Sequence, residues 1–216
     1  MRQVFGFGAG GHAKVVIDAL RAVGGIEVVG LLDPSHQSGR LVMGVPVVGD
    51  DSVVDQLVAR GVSRAFIGVG SVGDTSIRKR LYELACRKNL EVISIVHPTA
   101  VLAPSVAYGA GLLVLAGAIV NAASTLGVNV LVNTGAIVEH DCVIGDHVHV
   151  ATGARVGGAV KIGSGTHVGI GASIRQGIVI GRDAVIGAGA AVVDDVGDNA
   201  VVYGVPARPA PGSSRH

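Results

Sequence analysis

From Leu102 onward, every sixth residue is apolar: Leu102, Tyr108, Val114, Val120, Leu126, Val132, Val138 and Ile144, then Val150, Val156, Ile162, Val168, Ile174, Ile180, Ile186 and Val192. In a chain that is 49% hydrophobic, 16 successes in one frame arise by chance on the order of once in a hundred thousand. Two residues before many of these positions stands a small side chain: Ala100, Ala118, Ser124, Ala136, Cys142, Ala154, Ala172, Ala184 and Ala190. Glycine follows the large aliphatic at Gly109, Gly127, Gly145, Gly163 and Gly181, a spacing of 18 residues. Eighteen residues are three hexads, so the glycines recur once per coil of a three-sided prism. Each hexad is then a short strand plus a turn, with coils stacked about 4.8 Å apart. The aliphatics fill the prism, and the glycines are expected to supply turn conformations that other residues resist.

This is the pattern of a parallel β-helix built from hexapeptide repeats, here about five coils. Upstream the period changes. Val4–Phe7 reads as a strand, and Gly11–Val23 as a helix with Val15, Val16, Ala19, Leu20 and Val23 on one face. Glu27–Leu32 is a second strand ending at Asp33, helices are expected over Asp51–Arg60 and Thr75–Lys88, and strands near Arg64–Val69 and Glu91–Ile95. Alternating strands and helices indicate a small Rossmann-like α/β domain with a parallel sheet. The boundaries expected are 1–96 for this domain, 97–209 for the β-helix and 210–216 for a tail, with His97-Pro98 marking the handover.

Composition narrows the function. Lys and Arg total 17 against 16 acidic residues, a net charge of +1, which argues against a nucleic-acid partner. There are 34 glycines, six aromatics and no Trp, which suits a thin repetitive structure. Between Val92 and Val138 there is no Asp, Glu, Lys or Arg. A hydropathy window over this stretch looks membrane-like, but its six-residue period and its Gly, Asn, Ser and Thr interruptions argue against membrane insertion. Outward prism faces should be polar unless something covers them. Neighbouring subunits, most simply in a trimer, are the expected cover; the N-terminal domain is the alternative. Two cysteines make no disulfide framework, and no signal-peptide core opens the chain, so a cytoplasmic protein is expected.

Candidate chemistry falls in two places. Gly6, Gly8 and Gly11 match G-x-G-x-x-G between a strand and a helix, with Asp33 some twenty residues on. About 95 residues allow only one nucleotide-binding half. The helix N-terminus offers N–H groups to a diphosphate, His12 and Lys14 add donors, and Asp33 can accept from a ribose or base. The alternative is a glycine turn that serves only strand–helix packing. In the prism, His140-Asp141 lies at an outward corner, where a carboxylate can orient an imidazole for general-base work. His149 and His167 are 18 apart, should stack on one face, and can donate hydrogen bonds to a ligand. No third ligand shares their register, so no metal site is expected. Asn133 is expected to face the His140 region, and Cys142, in a small inward slot, reads as core rather than nucleophile.

The segments FGAGGHAKVV, NTGAIVEHDCVIGDHVHVATGARVGG and YGVPARP together resemble the sugar acetyltransferases of the left-handed β-helix superfamily, above all the N-acetyltransferases of nucleotide-linked 4-amino sugars of the bacillosamine and perosamine type. The resemblance implies a left-handed prism, a homotrimer and acetyl-CoA as co-substrate. It implies His140 as catalytic base with Asp141 as its acidic partner. Gly8, Gly10, Gly11, His12, Lys14, Asp33 and Asn133 would serve the nucleotide sugar, and His149, Gly158, His167 and Arg208 the coenzyme. The activity implied is N-acetylation of a UDP- or GDP-linked 4-amino-4,6-dideoxy sugar. Alternatives are a sialic acid O-acetyltransferase, a nicotinamide-dependent oxidoreductase suggested by the glycine motif, and a non-enzymatic scaffold.

Overall fold

The structure is a computed structural model that describes residues 2–210. It divides into two compact units, one of Met1–Gly70 with Ile77–Ile95, the other of Ser71–Ser76 with Val96–His216. The tail expected at 210–216 lies, from residue 211 onward, outside the described residues.

The first unit runs β1 (Arg2–Phe7), α1 (Gly11–Val23), β2 (Ile26–Leu32), β3 (Leu41–Val42), β4 (Val45–Gly49), α2 (Val54–Ala59), β5 (Arg64–Ile67), α3 (Ser76–Arg87) and β6 (Glu91–Val92). The sheet order is β3-β4-β2-β1-β5-β6. All pairs are parallel except β3 and β4, a small hairpin that the sequence reading lacks. Its turn residues Met43 and Gly44 both have positive φ, the geometry that two-residue hairpins favour. α1 buries Ala13, Val16, Ile17, Ala19 and Leu20. Val15 and Val23, expected on that face, are exposed, because the apolar stripe is centred on 13, 16, 17 and 20.

The second unit is the prism. One face stacks Leu113–Val114, Leu131–Val132, His149–Val150, His167–Val168 and Val185–Ile186 in parallel. The next stacks Val101–Leu102, Ile119–Val120, Ile137–Val138, Arg155–Val156, Ser173–Ile174 and Ala191–Val192. The third stacks Ala107–Tyr108, Thr125–Leu126, Val143–Ile144, Lys161–Ile162 and Val179–Ile180. The sixth-residue aliphatics from Val114 to Val192 are all buried in one continuous core. Tyr108, expected inside, is 48% exposed because its strand is the edge of its stack.

The once-per-coil glycines have a different cause from the one expected. A Cβ on Gly145 would lie 2.6 Å from the backbone nitrogen of Ser164, and one on Gly163 2.6 Å from that of Arg182. These corners need glycine because the next coil passes directly over them. The left-handed corner conformation falls elsewhere, on residues such as Asn129, Asp141, His147 and Gly153. Within the apolar stretch the outward residues Leu113 and Leu131 are at most 1% exposed.

The two kinds of glycine separate in a stability measurement. Gly145→Ala forces a methyl against a backbone atom and should cost about 3 kcal/mol. Gly153→Ala, whose Cβ meets open space, should cost only about 1 kcal/mol for its positive φ. Denaturant midpoints of the two variants check this; an equal or reversed order would contradict the packing account.

Candidate active site

In the first unit, β1 delivers the chain to the glycine loop. Gly6 is required by packing: a Cβ there would collide with the Phe66 ring on β5. Gly8 has φ +99° and abuts Val69 and Gly68. Gly10 and Gly11, by contrast, face open space, and no side chain caps α1 at Gly10. The start of α1 is therefore open to a ligand, with the exposed Lys14 one turn along. Asp33 Oδ2 accepts the Ala9 N–H at 2.8 Å and its Oδ1 accepts the Ser35 N–H at 2.8 Å. Burial pushes the Asp33 pKa up, but the His36 imidazole and these two N–H groups outweigh it, and the net shift is downward. Asp33 is thus a charged brace of the loop as well as a possible acceptor.

His12 follows the glycines and is partly buried. Burial, and then the Arg78 charge, push its pKa down to about 3, and its Nε2 is buried without a hydrogen-bond partner. At neutral pH it brings no positive charge to a phosphate. Arg78 itself escaped the sequence reading. It is 1% exposed on α3 and donates to the Ile67 and Val69 carbonyls at 2.9 and 3.1 Å. The signal was present in its i, i+3, i+7 spacing with Leu81 and Ala85, both buried.

In the second unit, His140 and Asp141 stand at the corner after Ile137–Val138. Their Nδ1 and Oδ2 are 2.7 Å apart, and both side chains are 61% exposed. An acceptor-only carboxylate places the proton on Nδ1 and leaves Nε2 as a base. The ring lies over Gly158, one coil further on, where a Cβ would come within 2.7 Å of Cε1 and Nε2. Cys142 is fully buried and its Sγ meets the Gly157 carbonyl at 3.2 Å.

Asn133, at the preceding corner, turns to His149 rather than to His140: its Nδ2 is 3.1 Å from His149 Nε2. His149 Nδ1 lies 2.7 Å from the Ser71 carbonyl oxygen and 2.9 Å from its hydroxyl. His167 stacks edge-on against His149 with ring centroids 4.9 Å apart. Its burial lowers its pKa, so it stays neutral, and its Nδ1 has no partner. Asn133, His149, Thr152 and His167 supply polar groups to a mainly apolar cavity of about 280 Å³, walled by residues such as Val72, Ile170 and Val185. Ser71, which no motif marks, is a second residue missed from sequence. Arg208 is exposed and lies 3.4 Å from Asp194. Two clusters result, His140–Asp141–Gly158 and Asn133–His149–His167–Ser71, and His140 does not line the cavity. Among the described residues no group of three or more His, Cys, Asp or Glu is placed to hold a metal, and no helix is long and apolar enough to cross a membrane.

Comparison with known proteins decides the family. The PglD N-terminal domain family matches residues 3–85. The crystal structure of a histidine-to-asparagine variant of perosamine N-acetyltransferase from Caulobacter crescentus, in complex with CoA and GDP-perosamine, is 39% identical over 97% of both chains, with a TM-score of 0.91. The chain belongs to the left-handed β-helix sugar acetyltransferases. Within that family it is also similar to the acetyltransferase domain of PglB from Neisseria gonorrhoeae, 36% identical over 97% of this chain and 100% of that one, TM-score 0.90. WeeI from Acinetobacter baumannii, at 24% identity over 96% and 99% of the two chains and TM-score 0.82, shares the fold. No curated protein matches the chain.

The partly buried His12 gives a pH prediction. His12 takes up a proton near pH 6.5 when unfolded but only near pH 3 when folded, so the unfolded state binds more protons between these values. Folding stability should therefore fall as pH drops, by about 2 kcal/mol from this group between pH 7 and pH 5. Denaturant unfolding at the two pH values reads the slope, and His12→Gln should flatten it. An unchanged slope in that variant would place the titration elsewhere.

Proposed function

We propose that this protein transfers the acetyl group of acetyl-CoA to the amine of a nucleotide-linked 4-amino-4,6-dideoxy sugar. Family membership supports the class of reaction. The Caulobacter relative is described with CoA and GDP-perosamine, and the Neisseria domain with acetyl coenzyme A. The observation that carries the reading in this chain is the 2.7 Å contact of His140 Nδ1 with Asp141. It leaves Nε2 unprotonated beside Gly158, on an exposed corner that a large substrate can reach.

In this reading His140 Nε2 takes a proton from the sugar amine as the amine nitrogen bonds to the thioester carbonyl carbon. The C–S bond then breaks, and His140 returns the proton to the leaving thiolate, giving the amide and free CoA. Gly158 keeps space for the imidazole, and its N–H side offers the coenzyme a close approach. The narrow cavity with Asn133, His149 and His167 suits the thioester arm, because its walls are apolar and its polar groups few. The open start of α1, with Gly10, Gly11, Lys14 and Asp33, suits the nucleotide, and Arg208 the coenzyme's charged end.

A homotrimer completes this reading. The strand Ile137–Val138 separates the His140 corner from the Asn133 corner in one chain. A second copy would bring the base of one prism to the cavity of its neighbour. The exposed outward residues Val101 and Val143 support such contacts. The free cysteines Cys86 and Cys142 support a reducing, cytoplasmic setting.

Thiol release from acetyl-CoA, measured against UDP-linked 4-amino sugars, GDP-perosamine and free or CMP-linked sialic acid, tests the reading. Turnover of an amino sugar is expected, with His140→Ala lowering kcat by about 10²–10⁴ and leaving KM nearly unchanged. Gly158→Ala should also lower kcat, since its methyl displaces the ring. Turnover of sialic acid alone would make the protein an O-acetyltransferase, and wild-type rates in His140→Ala would remove the base.

A further inference from the structure

The hydrogen bonds around His149 decide which atoms the cavity can offer a ligand. The Ser71 carbonyl oxygen can only accept, so His149 Nδ1, 2.7 Å away, carries the proton. Nε2 is then a lone pair, and it accepts from Asn133 Nδ2. The Asn133 amide cannot be reversed, because its Oδ1 accepts the Thr134 N–H at 2.8 Å. A primary amide nitrogen has two N–H groups. One goes to His149, and the other remains for the cavity that Asn133 lines. His149 has no ring nitrogen left with which to donate. The neutral His167 against its face brings no charge to alter this state.

We infer that Asn133 donates a hydrogen bond from this cavity to the acyl oxygen of the thioester, and that His149 is a positioning residue whose tautomer Ser71 sets. The inference rests on the acetyl-transfer reading for the identity of the ligand. A thioester oxygen only accepts and gains negative charge as the amine adds, which a fixed neutral donor in an apolar cavity stabilises. An imidazole held as an acceptor does not compete for that oxygen.

Two experiments on the full-length protein test this. Nitrogen-15 NMR of labelled histidines, with His149→Gln identifying the resonance, should show His149 protonated at Nδ1 and bare at Nε2. Asn133→Asp, which sets a carboxylate against Nε2, should convert the same ring to imidazolium. Protonation at Nε2 in the wild type, or no change in Asn133→Asp, would overturn the assignment. In the thiol-release assay, Asn133→Leu and His149→Leu should each lower kcat by about 10²–10³. The Gln amide can both donate to Ser71 and accept from Asn133, so His149→Gln should recover activity to within roughly tenfold of wild type. Equal losses in the Gln and Leu variants, with both folded by thermal melting, would mean that His149 meets the ligand itself. If no acceptor is turned over at all, the acetyl-transfer reading falls, while the tautomer still decides between the two roles of His149.

Discussion

Everything in the second unit depends on coils lying directly over one another at a register of 18 residues. The glycine corners show how close that approach is: a single Cβ would reach the backbone nitrogen of the coil above. Such spacing leaves no freedom to shift one coil without shifting its neighbours. Each outward side chain therefore has its vertical neighbour chosen for it. On one face the ladder runs Leu113, Leu131, His149, His167, Val185. The change from leucine to histidine in the third coil of that ladder is where the cavity gains its polar wall. At the next corner the same register puts Gly158 under the His140 ring. The candidate site is thus largely a substitution pattern on a lattice, with Ser71 its contribution from outside the repeat.

Much of this was legible before the structure. A six-residue period with glycine every eighteenth residue admits hardly any other fold, and the pairing of His149 with His167 follows from arithmetic. The adjacency of His140 and Asp141 is visible in the chain itself. What could not be read were contacts between residues far apart in sequence with no shared period. Ser71 reaches His149 across 78 residues from a segment of small and polar residues that carries no pattern. Asn133, one residue after the inward Val132, is expected to face outward towards the His140 region, yet the prism turns a corner between them and its amide meets His149 instead. Sequence reasoning assigns the once-per-coil glycines to turns because glycine tolerates positive φ. The corners that have positive φ are partly filled by Asn129, Asp141 and His147, and the glycines answer to steric contact instead. Sequence pattern reports periodicity well and the cause of a given residue poorly.

The two clusters differ in solvent exposure in a way that suits their proposed tasks. The His140–Asp141 pair is 61% exposed on both sides, so the corner is open to water and to a large substrate. A base proposed to take a proton from an amine and give it to a thiolate needs that access. His149 and His167 are each 4% exposed. There a proton gained would be a buried charge, and the burial that lowers the His167 pKa opposes it. Neutral, directional hydrogen bonds are what such a site can hold without penalty. In the proposed reaction the mobile proton stays at the wet corner and the fixed dipoles in the dry cavity. Direct transfer between two bound substrates asks for that separation, since a titrating group beside the thioester would compete with the base for the proton that the reaction has to move.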